Sequence, residues 1–329
     1  MYKIIVYGMG SLGKKIARKL KSLEKDYNYH IVAFMDKQYQ IIDSEFELLS
    51  PDSLKELEYD FVLITSEIWF KAIFDELIEK YDVKADKIIH LTQLTKEEKY
   101  YCNLCNTRVP FMLDTGSEST IFLKRKIIGG GKRENCVCPV CGGNDRERWL
   151  QHILLRELHM GDKAATVLHF APEKQVEKNI RKKQKLLYIT ADIEEGRADR
   201  VEDITNISFG NDSFDIIICN HILEHIKDES KAFSELKRCL KENGKIVFSV
   251  PICWDIDTYE DESVITGEDR LREYGQEDHV RLYGKDIEQR LREHGFAVES
   301  YQVDEILSQE QVEEMRLIPQ DRVWSLTLL

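Results

Sequence analysis

Two long stretches of this sequence alternate short apolar segments, rich in β-forming residues, with segments of helical periodicity. The first stretch covers residues 2–90 and the second covers residues 165–329. Strands that alternate with helices usually pair in parallel and carry the helices on both faces of the sheet. The pattern therefore predicts an α/β fold with two doubly wound sheets, and 329 residues are enough for two or three domains.

The first stretch contains a glycine-rich turn between a strand and a helix. Gly8-x-Gly10-x-x-Gly13 follows an apolar strand, opens an amphipathic helix over residues 11–23, and precedes a second strand that ends at Asp36. Such glycines allow a tight turn and a close ligand, the helix N-terminus offers amides to a phosphate, and the acid can bind a ribose. The three glycines and the acid are therefore candidate nucleotide-binding residues. The same glycines can also serve only to pack a helix tightly on a sheet.

Residues 1 to about 94 resemble, at the level of fold, the small Rossmann-like modules attached to bacterial sugar-tailoring enzymes. The glycine motif and this resemblance predict a Rossmann-like N-terminal domain over residues 1–95. The resemblance implies a nucleotide or a sugar nucleotide as its ligand, and tight packing without a ligand remains the alternative.

Four cysteines follow in two closely spaced pairs. Cys102-x-x-Cys105 and Cys138-x-x-Cys141 are separated by 32 residues. Each pair can form one knuckle around a metal ion, and four thiolates complete a tetrahedral zinc site. A closed site of this kind has no position for a water molecule, so its expected role is to stabilise a small domain. The spacing predicts a structural zinc ribbon over residues 96–148.

Other roles for the cysteines fit the sequence less well. Cys136 is a fifth candidate ligand, either spare or substituting for a neighbour, and a redox pair would need only one of the two motifs. A disulfide cluster conflicts with the expected compartment. The N-terminus lacks the features of a signal peptide, and no apolar run approaches the roughly 20 residues that span a bilayer. The sequence therefore predicts a cytoplasmic protein with reduced cysteines and no membrane segment.

The net charge of the chain bears on its partners. The formal charge is −13 at pH 7. Nucleic-acid binding depends on clustered lysines and arginines that displace counterions, so a wide nucleic-acid footprint is not expected, although an acidic protein can carry a local basic groove.

The segment from Asp203 to His225 is the most informative part of the second stretch. It contains D-I-T-N-I-S-F, N-D-S-F-D-I-I-I-C-N and H-I-L-E-H, and residues 240–251 continue with L-K-E-N-G-K-I-V-F-S-V-P. These motifs, and the order of strands and helices over residues 164–329, closely resemble the class I S-adenosylmethionine-dependent methyltransferases. The resemblance implies a methyltransferase domain over residues 149–329, a doubly wound sheet that ends in a strand hairpin, and S-adenosylmethionine as cofactor.

Several polar residues are expected at the carboxyl ends of this sheet, where open α/β sheets bind ligands. Asp192 ends the second strand and can accept hydrogen bonds from ribose hydroxyls. Asp203 can accept from the adenine amino group while Ile204 flanks the ring. Asn220 and His221 leave the fourth strand toward the transferable methyl group. The alternative for the last two is a polar strand end whose hydrogen bonds are satisfied internally.

The first turn of this sheet departs from the family pattern. Where the family has an acid and a glycine-rich loop, this chain has His169-Phe-Ala171-Pro172-Glu173, and proline lacks an amide donor. Either the loop takes another shape, with cofactor contacts from His169, Ala171 and Glu173, or cofactor binding is weakened or lost. The turn, the preceding cysteine knuckle and a D-H-V-R-x-Y-G block resemble a bacterial subgroup, which implies a variant that still binds the cofactor.

The D-H-V-R block supplies candidate groups for the methyl acceptor. His279 is the first candidate for a catalytic base, because an oxygen or nitrogen acceptor must lose a proton, and His221 and His225 are the alternatives. Arg281 suits a phosphate or carboxylate of the acceptor, since its planar guanidinium binds such groups at two points. A structural alternative is that Asp278 and Arg281 pair with each other to hold a loop.

Together these features predict a methyltransferase that acts on a saccharide, a nucleotide-sugar or a related small molecule. Sugar carbon-methyltransferases combine the same three kinds of module in a different order, so this expectation rests on resemblance. Two alternatives remain open. An RNA methyltransferase would explain the zinc ribbon, and a non-catalytic protein that binds cofactor or sugar would explain the altered turn. The oligomeric state is not determined by the sequence.

Overall fold

The computed structural model of the protein describes residues 1–94, 98–116 and 120–329, which form two compact units. The N-terminal unit comprises residues 1–115 and 134–144, and the C-terminal unit comprises residues 116–133 and 145–329. The predicted boundary between residues 95 and 96 falls outside the described residues.

The N-terminal unit is built on a parallel sheet of five strands in the order β3-β2-β1-β4-β5. Helix α1 buries Ile16, Ala17 and Leu20 against one face of this sheet, as its periodicity predicts, and α2 buries Leu77 in a separate cluster. The elements are β1 (Tyr2–Tyr7), α1 (Ser11–Leu23), β2 (Tyr29–Met35), β3 (Leu48–Leu49), β4 (Phe61–Ile64), α2 (Phe70–Glu79) and β5 (Ile88–His90).

The cysteine-containing segments share the core of the N-terminal unit. Strands β6 (Tyr100–Cys102) and β7 (Thr107–Val109) form a hairpin, and β8 (Leu113–Thr115) pairs with β9 (Arg133–Val137). Phe111, Leu113 and Val137 pack in the same apolar cluster as α1. This shared core is why the knuckles do not form a third unit, in contrast to the predicted ribbon over residues 96–148.

The C-terminal unit contains a seven-stranded sheet in the order β12-β11-β10-β13-β14-β18-β17. The last strand, β18, is antiparallel to both neighbours, and the other pairs are parallel. This order is the predicted doubly wound sheet closed by a hairpin. The strands are β10 (Ala165–Phe170), β11 (Leu186–Asp192), β12 (Arg200–Val201), β13 (Phe214–Ile218), β14 (Leu240–Phe248), a short parallel pair β15 (Ile252–Cys253) and β16 (Tyr283–Gly284), β17 (Phe296–Gln302) and β18 (Arg322–Leu328).

Helices cover this sheet and bury its apolar residues. Helix α6 is capped by the Asp228 side chain, which accepts from the Lys231 amide, and it buries Phe233 and Leu236 in the core. Phe248 and Trp324 stack across neighbouring strands with ring centroids 5.6 Å apart. The helices are α3 (Thr120–Lys124), α4 (Asp145–His152, continued by a π turn over Ile153–Glu157), α5 (Lys174–Ile180), α6 (Glu229–Cys239), α7 (Gly267–Tyr274), α8 (Ile287–Glu293), α9 (Val303–Ile306) and α10 (Gln309–Met315).

The predicted element pattern and the α/β fold class are confirmed, with differences mainly at element ends. The strand expected over residues 245–250 begins earlier, at Leu240, and the helix expected over residues 68–81 is shorter. Short helices such as α5 and α10 were not predicted, because seven residues present too little periodicity. None of the helices in the described part of the chain is both long and apolar enough to cross a bilayer.

Candidate active site

The carboxyl edge of the seven-stranded sheet has one point at which the strand order reverses. From β10 the chain continues to β11 on one side, and it later returns to β13 on the other side. Ligands of open α/β sheets bind outside the strand ends at such a point. The turns that follow β10 and β13 are therefore the structural starting points for an active site.

The turn after β10 keeps a glycine-like backbone without a glycine. Ala171 has a φ of +44°, in the left-handed region that glycine adopts readily, and its amide donates to the Ala191 carbonyl at 2.7 Å. This conformation costs a residue with a side chain about 1–2 kcal/mol. The turn therefore lacks the glycines of the family pattern, but Ala171 still adopts a backbone conformation that glycine favours. No local pattern in the sequence predicted this conformation.

A chain of polar contacts crosses the reversal point. His169 is fully buried, with Nδ1 2.7 Å from the Tyr188 hydroxyl and Nε2 3.1 Å from Glu173. The Asn220 amide donates to Glu173 at 2.6 Å, and the Ser249 hydroxyl donates to the Asn220 side-chain oxygen. The predicted residues His169, Glu173 and Asn220 thus meet here. Tyr188 and Ser249, which the sequence analysis did not identify, extend the chain of contacts. Asn220 matches the predicted alternative of a strand end whose hydrogen bonds are satisfied internally.

The charge state of Glu173 follows from these contacts. Burial acts to raise the pKa of this carboxyl, but the hydrogen bonds from His169 and Asn220 outweigh it and hold the pKa below its ordinary value. Glu173 is therefore a carboxylate that links the turn after β10 to the end of β13.

Asp192 lies half-buried at the carboxyl end of β11, as predicted. Its Oδ1 accepts from the Glu194 amide at 2.9 Å, while Oδ2 has no hydrogen bond to any described residue. Asp203 is exposed, and one of its oxygens accepts from the Thr205 amide and hydroxyl, each at 2.8 Å. Asp192 therefore keeps one acceptor oxygen for a ligand.

Ile204 differs from its prediction. It is 4% exposed and packs in the apolar core of the sheet, so it offers little surface to a flanking ring. The turn between Asp203 and Asn206 directs it inward. Apolar surface near the strand ends comes instead from Ile193 and Val201, which are 70% and 58% exposed.

His221 begins a second group of polar residues after β13. It has a φ of +52°, and its Nδ1 is 3.1 Å from Glu224. Arg146 Nη1 lies 3.2 Å from both ring nitrogens of His221 and donates to the Gly129 carbonyl at 2.8 Å. Burial and the charge of Arg146 lower the pKa of His221 well below its usual value. The contacts with Arg146 and Gly129 were not predicted.

His279 and Glu224 lie close to His225. Asp278 is 3.1 Å from His225 Nδ1, and the His225 and His279 rings meet edge to face at 4.7 Å. Burial raises the pKa of Glu224 to about 8, and burial with the nearby His225 lowers the pKa of His279 to about 4. The predicted base candidates are thus neighbours, and His279 is only 1% exposed.

Arg281 does not have the predicted geometry of an anion-binding residue. It is 2% exposed and donates from Nη1 to the Leu223 and Ile226 carbonyls, at 2.6 and 2.5 Å. Its Nε donates to Glu260, so the expected alternative of a pair with Asp278 is also wrong. The backbone carbonyls that accept from the guanidinium are more than 50 residues away in the sequence. Only folding brings them within hydrogen-bonding distance, so the sequence did not reveal them. Arg281 fixes the turn before α6.

The four predicted zinc ligands come together in the N-terminal unit. Cys102 and Cys141 have sulfurs 3.7 Å apart, those of Cys105 and Cys138 are 3.8 Å apart, and all four lie within 4.8 Å of one another. Tetrahedral zinc with Zn–S bonds of about 2.3 Å separates its sulfurs by about 3.8 Å. These residues therefore fit zinc. Cys136 is outside the cluster and is buried with the apolar core of α1.

The N-terminal glycine turn is explained by packing within the unit. Gly8 has a φ of +100°, and a Cβ on Gly13 would lie 1.9 Å from the Gly8 carbonyl oxygen. Asp36 accepts from the Met9 amide at 2.6 Å through one oxygen and from the Gln38 amide at 2.8 Å through the other. Both carboxylate oxygens of the predicted ribose ligand are thus already engaged.

Gly10 is different from the other two glycines of the turn. A Cβ there would meet nothing within 4 Å, so the fold itself does not require glycine at this position. A nucleotide at this turn remains a prediction.

Comparison with known proteins gives two family matches. Residues 128–301, more than half of the chain, match the family described as a methyltransferase domain, and residues 1–89 match a family described as C2185-like, N-terminal. An arsenite methyltransferase from Aquipseudomonas alcaligenes is 31% identical over 100 residues, which are 29% of this chain and 26% of that protein. The aligned segment therefore spans about a quarter of this curated relative.

Solved structures with limited similarity include two methyltransferases. The 1,6-didemethyltoxoflavin-N1-methyltransferase of Burkholderia thailandensis, with bound 1,6-didemethyltoxoflavin and S-adenosylhomocysteine, is 14% identical, with a TM-score of 0.38, over 55% of this chain and 77% of that one. A SAM dependent methyltransferase from Archaeoglobus fulgidus is 16% identical, with a TM-score of 0.36, over 55% and 93%. The match of residues 128–301 decides the assignment: the chain belongs to the methyltransferase-domain family.

Proposed function

We propose that the C-terminal unit binds S-adenosylmethionine at the carboxyl edge of its sheet and transfers the methyl group to a small-molecule acceptor. One observation carries the cofactor part of this proposal. At the strand-order reversal, Ala171 adopts the backbone of a glycine turn, and on the neighbouring strand Asp192 keeps an oxygen without a hydrogen bond. A backbone that a ligand can approach and a free acceptor for ribose are the two features that an adenosine-containing cofactor needs here.

The residues around this edge take distinct roles. Asp192 accepts from the ribose hydroxyls, and the exposed carboxylate of Asp203 accepts from the adenine amino group. The chain from His169 through Glu173 to Asn220 holds the two turns in register, so it positions the cofactor more than it contacts it. Methyl transfer is an in-line displacement at a sulfonium, for which such positioning supplies much of the rate enhancement.

His221 is the acceptor-side residue that the geometry favours. It follows directly on Asn220 at the end of β13, and its side chain is 14% exposed. His279 is more deeply buried, and Arg281 is bonded to backbone carbonyls. Arg281 is therefore not available to bind the phosphate of an anionic acceptor, in contrast to the prediction from the sequence. The acceptor side offers imidazole and carboxylate groups, which form hydrogen bonds with hydroxyl groups. It therefore fits the hydroxyl groups of a saccharide, or of the sugar part of a nucleotide-sugar, better than a phosphate.

The cysteine cluster is proposed to hold one structural zinc ion. Cys102, Cys105, Cys138 and Cys141 would bind it, and the ion would join the two knuckles. Elemental analysis of protein purified without chelators is expected to give about one zinc per chain from this site. Full zinc content in a Cys138→Ser variant of unchanged stability would mean that Cys136 or another group is the ligand.

A calorimetric titration with S-adenosylmethionine and with S-adenosylhomocysteine tests the cofactor proposal. We expect one site per chain for each compound, with a dissociation constant in the micromolar range, about −8 kcal/mol. Absence of binding by folded protein at millimolar cofactor would refute it. Binding without turnover of saccharide or nucleotide-sugar acceptors would favour the non-catalytic alternative.

A further inference from the structure

We propose that Glu224, His225 and His279 form a divalent metal site in the C-terminal unit, separate from the cysteine cluster. Each of the three offers one ligand atom, and these atoms lie within 4.8 Å of one another. One ion at about 2.0–2.2 Å from imidazole nitrogens and a carboxylate oxygen needs its ligand atoms no more than about 4.4 Å apart, so small side-chain rotations would bring these three onto one ion. The site combines the end of the turn after β13 with the segment that precedes β16.

Two of the proposed ligand atoms are buried without a hydrogen-bond partner. Glu224 is 2% exposed and its Oε2 is unsatisfied, and His279 is 1% exposed with Nε2 unsatisfied. Leaving a buried polar atom unpaired costs about 1–3 kcal/mol. A cation between them would satisfy both atoms, because the ionised Glu224 carboxylate and the neutral His279 ring each present a lone pair to it, and the positive charge of the ion favours the ionised carboxylate.

Neighbouring groups orient both imidazoles as metal ligands. Asp278 Oδ2 lies 3.1 Å from His225 Nδ1, and the His279 ring forms a hydrogen bond with the Tyr274 backbone. Since His279 Nε2 has no partner, this bond engages Nδ1. These contacts leave Nε2 of each ring available to a metal ion, in the carboxylate–histidine and carbonyl–histidine arrangements that accompany metal-bound histidines.

The backbone holds the two ligand segments together before any ion binds. The Val280 amide donates to the Glu224 carbonyl at 2.9 Å, and Arg281 donates to the Leu223 and Ile226 carbonyls. These bonds join segments more than 50 residues apart in the sequence. Arg281 is thus a positioning residue for the site. This role accounts for its burial, whereas anion binding would require an accessible guanidinium.

Two imidazoles and one carboxylate suit divalent first-row ions such as Mn²⁺, Fe²⁺, Co²⁺ or Zn²⁺, and three protein ligands leave coordination positions open. If the proposed methyltransferase function holds, the ion would bind an acceptor hydroxyl and lower its pKa. The proton would pass to solvent or a nearby base, the oxygen would form the bond to the methyl carbon, and the C–S electron pair would return to sulfur. This role, though not the site itself, rests on the proposed function.

Manganese titration tests the site without competition from the cysteine cluster, because thiolates prefer zinc to Mn²⁺. Zinc-loaded protein would be titrated with Mn²⁺ while the electron paramagnetic resonance signal of free Mn²⁺ is followed. We expect one bound Mn²⁺ per chain. Folded wild-type protein that binds neither Mn²⁺ nor Co²⁺ below about 1 mM would overturn the proposal.

Variants identify the ligands. Glu224→Gln and His279→Gln are expected to weaken Mn²⁺ binding by about 100-fold or more, and Asp278→Asn by about 10-fold, the effect of losing an outer partner. Asp278 is exposed, so its variant serves if the buried ones fail to fold. His159→Gln is the matched control, since His159 lies 3.7 Å from Asp162 in an exposed histidine–aspartate pair elsewhere.

The outcomes separate this proposal from the proposed function. Unchanged Mn²⁺ affinity in the Asp278→Asn variant together with either folded ligand variant would overturn the site. Cofactor titration of the same preparations is independent of the metal readout. Mn²⁺ binding without S-adenosylmethionine binding would leave the metal site standing and refute the cofactor proposal, and the reverse result would do the opposite.

Discussion

The two parallel sheets of this protein make opposite use of the turn after their first strand. The N-terminal sheet carries a complete glycine fingerprint, yet both oxygens of the acid that follows it, Asp36, bond to backbone amides, one of Met9 in the turn and one of Gln38. The C-terminal sheet has lost its glycines, yet Ala171 adopts the glycine conformation and Asp192 keeps a free oxygen. A glycine motif therefore reports a tight turn, whereas ligand capacity depends on what the neighbouring acid already binds.

The largest effect is expected for Gly13→Ala in the N-terminal turn. Its Cβ would lie 1.9 Å from the Gly8 carbonyl oxygen, so the turn must move, and we expect a loss of about 3 kcal/mol in unfolding free energy. Gly10→Ala is the control, since its Cβ meets nothing within 4 Å, and it should stay within about 0.5 kcal/mol of wild type. Urea denaturation measures both. Equal losses would show that the turn is not held by packing.

The next prediction compares the acids of the two sheets. Asp192→Ala is expected to weaken S-adenosylmethionine binding by about 1.5–3 kcal/mol, because hydrogen bonds to a charged group are lost. Asp36→Ala should leave that affinity unchanged, since its carboxylate bonds to the N-terminal turn. Calorimetric titration of the two variants gives the comparison. Wild-type affinity in the Asp192 variant would mean that the cofactor is held differently, for example by Glu194.

Glu173→Gln tests the polar chain that replaces a glycine loop. A pKa held below its unfolded value makes the carboxylate stabilising above about pH 4.3, and this contribution is lost as the pH falls through the folded-state pKa. We expect a loss of about 1–2 kcal/mol at pH 7 that shrinks below about pH 4. Denaturation at several pH values, with exposed Glu195→Gln as control, measures it. A loss independent of pH would assign the effect to packing.

The smallest effect is expected for Ala171→Gly. Glycine relieves the left-handed strain at φ +44° but adds chain entropy to the unfolded state, so the net gain should be about 0.5–1 kcal/mol. Ala297→Gly, at an exposed strand position, should lose about 0.5–1 kcal/mol because only the entropy term acts. Opposite signs in thermal or urea denaturation support the comparison. A loss at both positions would contradict the strained turn.

The sequence by itself determined the local structure and the family. Alternating apolar periodicities predicted both sheets, paired cysteines predicted the sulfur cluster, and the segment from Asp203 to His225 predicted the methyltransferase domain. These features depend on backbone hydrogen bonding and on burial that repeats over a few residues, which short patterns encode.

Only the tertiary structure decided which partners the polar side chains have. It directed Ile204 into the core, bonded Arg281 to carbonyls 55–58 residues away, and brought His279 beside His225 and Glu224. Such contacts join segments far apart in the chain, and a buried polar group bonds to whatever donor or acceptor the fold brings within about 3 Å. A motif names the groups that can react, and the packing of distant segments decides which of them remain free to do so.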